Sequence, residues 1–421
     1  MARTKTDDPS VEVGYVNGRG TDWQHWDEDE KVPELQWPES VHVYSRMLKE
    51  DGRVASVIQA IGLPIRRTAW RIDQNGARDE VTAFVAQNLG LPIAGQEPTP
   101  RPRSKGRFSW NQHLQTALLM LPYGHSFFEQ VYRIDENDVT WLHKLAPRPQ
   151  KTISKINVAL DGGLESIRQN PPALLTAASF LPDGFDIKVS RLVAYIRDPE
   201  PGDWTGSSLL RPAYKHWILK DEFMRIQAAT ARRNGMGLPV GTAASEDPDE
   251  VKKMQKLASS VRGGMNSGVG LAPGQTLDLK GVEGNLPDMQ AAITYHDKAI
   301  ALAGLAHFLN LDKGGSYSLA SVLNDTFVQS VQTFAESIAD TANAHIVEDL
   351  VDINFGESEP APRIVFDEIG SRQDATAAAL TMLRQAGLLD DDDEVKIAVR
   401  QKLGIPAKRE EETDTEEVPV D

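Results

Sequence analysis

Residues 207–234 constrain this chain more than any other stretch, because they read as one continuous helix with chemically marked ends. Ser207 or Ser208 can cap the orphan amides of a first turn, Pro212 lies near that turn, and Gly235 and Pro239 stop the run. Such a helix has about 28 residues and extends roughly 42 Å. Leu210, Ala213, Tyr214, Trp217, Met224, Ala228 and Ala231 recur at helical spacing. Arg211, Lys215, Lys220, Arg225, Arg232 and Arg233 outnumber Asp221 and Glu222 on the remainder. In a chain whose formal charge is −16, this is a local basic concentration.

That net charge argues against a protein that simply grips nucleic acid, since backbone binding needs Lys and Arg to neutralise phosphates. Much of the excess is local: residues 27–30, 390–394 and 410–417 are acidic runs, read as solvated surface and, at 407–421, a disordered tail. A length of 421 residues admits two or three domains with a substantial core. There is no cysteine, which removes thiol nucleophiles, disulfides and cysteine-built zinc sites and fits a reducing cytoplasm. The first residues lack the apolar core of a signal peptide, and nowhere do 18 apolar residues run uninterrupted by charge. The expectation is a soluble, intracellularly made protein without a membrane partner.

Residues 1–36 are polar and aperiodic, and read as an arm. Helical segments are expected at 43–48 and 54–61 around Asp51 and Gly52, followed by a strand over 65–72 with Trp70 as its largest side chain. Helices at 79–89 and 110–121 flank a Pro/Arg-rich loop, and 126–134 with 139–145 read as a hairpin across 135–138. This first half is α+β. The centre is helix-dominated: a charged helix over 247–262, a Gly-rich segment over 263–281, a second long helix over 287–309, a loop over 311–317 and a third long helix over 318–352. A strand at 363–366 and helices at 373–386 and 393–403 complete the reading.

The chemistry of catalysis is hard to find. The glycines of 263–270 lack the Gly-Lys-Ser/Thr ending that lets a P-loop cradle a triphosphate, and 268–274 lacks the βαβ setting of a dinucleotide loop. His296 and His307 stand roughly 16 Å apart along one helix and cannot share a metal within one chain. No Gly-x-Ser-x-Gly elbow occurs, and Ser318 and Ser321 are helix-start residues. The acids of 390–394 read as a solvated helix start. Trp23 and Trp26 in a polar arm suggest docking, either onto a neighbour or back onto their own domain. An enzyme is not favoured, and no cofactor, metal or catalytic residue is expected.

The order of landmarks resembles the portal proteins of tailed bacteriophages, on the Mu-like and actinobacteriophage branch. The resemblance covers about residues 41–390. It rests on residues 47–54 with Trp70 downstream, on Leu121, Pro122, Tyr123 and Gly124 with Phe128 and Glu129, and on Gly206 with Leu209, Leu210, Arg211, Pro212, Trp217 and Lys220. Residues 233–239, 295–300, the glycine loop and 318–321 follow in order.

The resemblance implies an α+β portal-type fold: an arm over 1–36, a wing over 37–206, stem helices over 207–234 and 287–310, and a small α/β clip over 235–286. It further implies a tunnel loop over 311–317, a long wing helix over 318–357, and a wing strand with helical crown over 358–406. It implies a homo-oligomeric ring, usually of twelve subunits, at a capsid vertex of the virion. Double-stranded DNA passes through it, and the terminase large subunit, capsid or scaffold protein and head–tail adaptor are its partners. Twelve stem helices at ordinary packing distance enclose a bore of roughly 28 Å, wide enough for a duplex. The tunnel-loop candidates are Lys313, Gly314, Gly315, Ser316 and Tyr317. The basic residues Arg211, Lys215, Lys220, Arg225, Arg232 and Arg233 either face DNA or pair with acids of the neighbouring subunit. A cytoplasmic scaffold that binds partners through its arm and acidic tail stays open as an alternative, as does a nucleotide-dependent enzyme using residues 263–274.

Overall fold

The computed structural model describes residue 16 and residues 30–96, 108–171, 184–236, 238–261, 268–280, 288–304 and 317–370, with only the backbone described at 232–236, 238 and 317–324. The chain divides into two units, Met1–Arg211 with Leu311–Asp421, and Pro212–Asn310.

The first unit opens with α1 (Ser40–Glu50) and α2 (Gly52–Arg67). Asp51 separates them: its extended backbone ends α1, and its carboxylate accepts from the amides of Arg53 (2.8 Å) and Val54 (3.3 Å), capping α2. The strand expected over 65–72 is shorter than its hydrophobic pattern suggested. Val54, Val57, Ile61 and Ile65 continue one buried helical stripe, which carries α2 through Pro64 to Arg67, and β1 is only Trp70–Asp73. Helix α3 (Asp79–Leu89) stops at Gly90, whose φ of 64° is the left-handed C-cap. The single helix expected over 110–121 is two, α4 (Trp110–Ala117) and α5 (Met120–Tyr123), because the Ser126 hydroxyl donates to the Thr116 carbonyl at the break (2.9 Å).

Strands β2 (His125–Ile134) and β3 (Thr140–Arg148) form the expected hairpin. Its turn is held by Asp135, whose carboxylate accepts from the amides of Asn137 and Val139. Four further strands, β4 (Ile153–Val158), β5 (Leu164–Gln169), β6 (Phe185–Lys188) and β7 (Leu192–Ile196), follow. They build two antiparallel sheets, ordered β3-β2-β7 and β4-β5-β6, which share a core of Phe127, Ile153, Leu164, Ile167, Ile187 and Leu192.

The second unit contains α6 (Tyr214–Met236), β8 (Leu238–Thr242), α7 (Pro248–Ser260), β9 (Thr276–Lys280) and α8 (Met289–Ala303). Strands β8 and β9 pair antiparallel from Leu238↔Lys280 to Thr242↔Thr276. Helix α7 lies on them, with Met254 so close to Gly241 that a Cβ there would come within 2.6 Å of its Cγ. Asp247 and Asp288 cap α7 and α8 by accepting from Asp249 and Ala291 amides.

The chain then returns to the first unit with α9 (Tyr317–Ala342), a π-helical turn (Asn343–Val347), α10 (Glu348–Phe355) and β10 (Arg363–Phe366). The π turn lies where Asn343 clasps the strand: its Oδ1 accepts from Ile364 N at 2.7 Å and its amide donates to Ile364 O at 3.3 Å. Strand β10 pairs antiparallel with β1, 290 or so positions earlier in the chain, so an early strand and the last described one close one core. The helices expected at 373–386 and 393–403 lie outside the described residues.

The part of the arm that is described is tied to the first unit at two points. Val16 donates its amide to Leu160 O (2.8 Å) and rests its side chain against Gly162 and Gly202, where any Cβ would approach Val16 Cγ1 to 2.9 and 3.0 Å. Glu30 forms a two-pronged ion pair with Arg211. Trp23 and Trp26 lie outside the described residues.

Candidate functional site in the two-helix unit

Two sequence landmarks that looked independent interlock just before the first long helix. Gly124 (φ 86°) and Gly206 (φ 64°) meet backbone to backbone: a Cβ on Gly124 would stand 2.5 Å from Thr205 O, and one on Gly206 would stand 2.3 Å from Gly124 O. Around them Arg197 N donates to Gly124 O, Ser207 N to Arg197 O, Leu209 N to Leu121 O, and the Ser208 hydroxyl to Pro122 O. Here lies the correction to the long helix, which begins at Tyr214 and not at Ser207. Leu209 and Ser208 are bonded to 121–122, and Pro212 lacks an N–H and pushes Arg211 away from helical geometry. Residues 207–213 therefore form a tethered lead-in, and the helix proper has 23 residues.

Helices α6 and α8 pack antiparallel, as three cross-helix pairs show. His216 meets His296, Lys220 meets Asp297, and Gln227 meets Gln290. Lys220 Nζ is 2.6 Å from Asp297 Oδ1, with the lysine side chain only 12 % exposed. The His216 and His296 Nδ1 atoms are 3.0 Å apart, and Phe223 stacks on His296 with ring planes 19° apart. Burial first, then the charges of His296 and Lys215, lower the His216 pKa and favour its neutral form.

The predicted basic residues therefore have different surroundings. Arg211 lies ahead of the helix and belongs to the first unit, paired with Glu30. Burial alone would raise the Glu30 carboxyl, but the Arg211 hydrogen bond, the Val32 amide and the Arg211 charge together hold it below the usual carboxylate range. Lys220 pairs with Asp297, and Arg225 with Asp221 one turn back (2.8 Å). Lys215 is exposed. Arg232 and Arg233 lie on the α6 backbone. Lys313, Gly314, Gly315 and Ser316 lie outside the described residues, and Tyr317 begins α9.

What sequence reasoning missed is that large apolar side chains are exposed. Ile218, Leu219, Met224 and Ile226 on α6 are 38–49 % exposed, and Tyr295 and Leu302 on α8 are exposed at 63 and 45 %. Ile218, Leu219 and Ile226 fill positions between the basic ones, outside the stripe that includes Met224. A helix that is apolar on more than one face is built to be covered. Among the described residues no cluster of three or more His, Cys, Asp or Glu side chains is placed to hold a metal, and no helix is long and apolar enough to cross a membrane.

This architecture is similar to that of known assemblies. The chain aligns with the virion of a native gene transfer agent particle at a TM-score of 0.58 and 11 % identity, covering 88 % of this chain and 95 % of that one. It aligns with the neck of a native gene transfer agent particle computed with C12 symmetry at 0.57 and 11 %, with the same coverage. The neck of the empty particle, computed with C6 symmetry, gives 0.57 and 13 %, covering 87 and 94 %. The α+β portal-type fold is thus the fold of this chain. Residues 41–405, most of the sequence, match the family described as portal protein of Mu bacteriophage. The protein belongs to the Mu-type bacteriophage portal protein family.

Proposed function

We propose that copies of this chain form a ring of twelve at one capsid vertex. Through it double-stranded DNA passes inward during packaging and outward during ejection. Residues 207–234 and 287–310 supply the stem, 235–286 the clip that docks the terminase large subunit and later the head–tail adaptor, and the first unit the wing that meets capsid or scaffold protein. The observation that carries this reading is the unit of two long helices with apolar residues exposed on α6 and α8, which a neighbouring copy would cover. The twelvefold symmetry of the similar gene transfer agent neck supports the subunit number.

The charge pattern supports the conduit. Arg211, Lys220 and Arg225 have carboxylate partners in the same chain, which reduces the positive charge free to hold phosphates, and the chain as a whole is acidic. DNA slides where it is not gripped. The chain acts as a passive structural component, and the energy of packaging comes from the motor that docks on it. Lys313, Gly314, Gly315, Ser316 and Tyr317 form the constriction, with glycines allowing movement and Lys and Tyr touching passing phosphates. Deleting Gly314 and Gly315 should spare ring assembly but reduce packaged DNA; a normal yield of filled particles would remove the loop from this role.

The test of the whole reading is the mass and shape of the purified protein, by native mass spectrometry and negative-stain microscopy. Rings near twelve times 46.4 kDa with a central hole are the expected result. A uniform monomer that stays monomeric with capsid and scaffold proteins present would favour the scaffold alternative.

A further inference from the structure

We infer that His216 and His296 form a binding site for one divalent transition-metal ion of the Zn2+, Cu2+ or Ni2+ class, held between the two long helices. The inference concerns the second unit alone and stands apart from the ring reading. The two Nδ1 atoms face each other at 3.0 Å. Only one of them can donate in that contact, so the pair shares a single proton between two lone pairs. A cation in place of that proton would use both lone pairs. Two nitrogens bound at about 2.0–2.1 Å in a tetrahedral site stand roughly 3.3 Å apart, so ligation asks for a few tenths of an ångström. Imidazole donors select this class of ion over Mg2+ or Ca2+, which prefer oxygen.

The rings are also held in place. Phe223 stacks on His296 at 5.6 Å between centroids, and Tyr295 stands edge-on to His216 at 6.1 Å. Ligands projecting toward each other from facing helices are the arrangement by which helical bundles build metal sites. Asp297 follows His296 in the chain, but its carboxylate is engaged by Lys220 at 2.6 Å and so is not available as a third ligand. Among the described residues no third His, Cys, Asp or Glu completes the set, so the remaining positions fall to water. Such an ion would staple α6 to α8.

The test uses the untagged full-length chain, stripped with chelator and titrated with Zn2+ by calorimetry. One ion per chain is expected, with a rise of a few degrees in melting temperature that chelator reverses. His216→Asn and His296→Gln should each weaken binding by at least about tenfold while far-UV circular dichroism is unchanged. Because the chain has no cysteine, His216→Cys supplies a separate check: with Co2+ it should gain a thiolate-to-cobalt absorption band that wild type lacks. Zinc affinity unchanged in both histidine variants would place the ion on other histidines and overturn the inference. So would the absence of binding to wild type, or of the cobalt band in the cysteine variant.

Discussion

The two units differ in how their apolar side chains are distributed between core and surface. In the first, Phe127, Phe128, Leu121, Ile65, Ile72 and Val81 are fully buried, and several polar side chains among them find partners within the unit, although His113 Nδ1 and His125 Nε2 have no hydrogen-bond partner among the described residues. His113 Nε2 meets the Tyr195 hydroxyl at 2.8 Å, His125 donates from Nδ1 to Thr205 O, and the Gln130 amide bridges His345 O and Asp349. In the second, burial is confined to a few residues such as Met254, Ala258, Ile293, Ile300 and Ala301, while α6 leaves four large apolar side chains in solvent. The first unit also exposes large apolar side chains, Leu63, Ile134, Leu160 and Ile353 among them, but singly on separate segments. The second has the surface of a part, whose remaining neighbours must come from elsewhere.

Because the first unit has an extensive core of its own, damage to that core should be read in the folding of the single chain. Phe128 is fully buried, edge-on to both His113 (4.5 Å) and Tyr195 (5.7 Å). Phe128→Ala should cost about 3–5 kcal/mol, seen as a lower denaturant midpoint with an unchanged slope. The buried histidines extend the test to pH. Burial lowers the His113 pKa to about 3 and that of His125 to about 4. Both lie below the unfolded value of about 6.5, so the unfolded chain binds more protons in that window. Their contribution is fully present above about pH 6.5 and drains away as pH falls toward 4, by about 1.4 kcal/mol per pH unit for each histidine. His113→Gln should flatten the stability–pH slope between pH 6.5 and 4; an unaltered slope would mean that this histidine is protonated in the folded chain.

How much of this was legible in the sequence depended on how far the deciding contact lies along the chain. Helix α3, the β2–β3 hairpin and β10 were readable because their signals are local: the acidic first turn of α3 and Gly90 beyond it, the Asp135 turn, and the short β-branched and aromatic run Ile364, Val365 and Phe366. The start of α6 was misread because the bonds that hold 208–209 come from Leu121 and Pro122, some 86 positions away. The small β4-β5-β6 sheet was not anticipated at all, since its strands are short and half-exposed, with polar residues breaking the apolar alternation. The basic residues of the candidate site were found by composition, but their partners were not: Glu30 is 181 positions from Arg211, and Asp297 lies on the facing helix from Lys220. The exposed apolar positions could be counted but not placed.

The junction that joins the first unit to the long helix offers a smaller effect of a different kind. At Gly206 a side chain would meet both a positive φ and the carbonyls of Gly124 and Arg197, at 2.3 and 2.8 Å. Backbone cannot give way as a flexible side chain can. Gly206→Ala should therefore cost about 1–3 kcal/mol. The loss should appear as early hydrogen exchange at the Leu209 and Ser207 amides, which are bonded across the junction. A variant as stable as wild type would mean that the lead-in is held by Ser208 and Leu209 alone.

The smallest effect on the isolated chain belongs to the second unit, and it is the one that separates a part from a whole. Met224 and Ile226 are 49 and 38 % exposed, so replacing them removes little packing within the subunit. Met224→Ser together with Ile226→Asn should change the stability of the single chain by no more than about 1 kcal/mol, the range of surface substitutions. If a neighbouring copy covers those side chains, the same double variant loses buried apolar area at every interface of a closed ring, and small deficits add around the circle. The expected pattern is an unchanged melting curve at low concentration together with loss of rings in native mass spectra. Rings that persist in the double variant would show that neither side chain is one that a second copy covers. The assembling surface would then have to be sought elsewhere, and finding it on the first unit would reverse the contrast between the two.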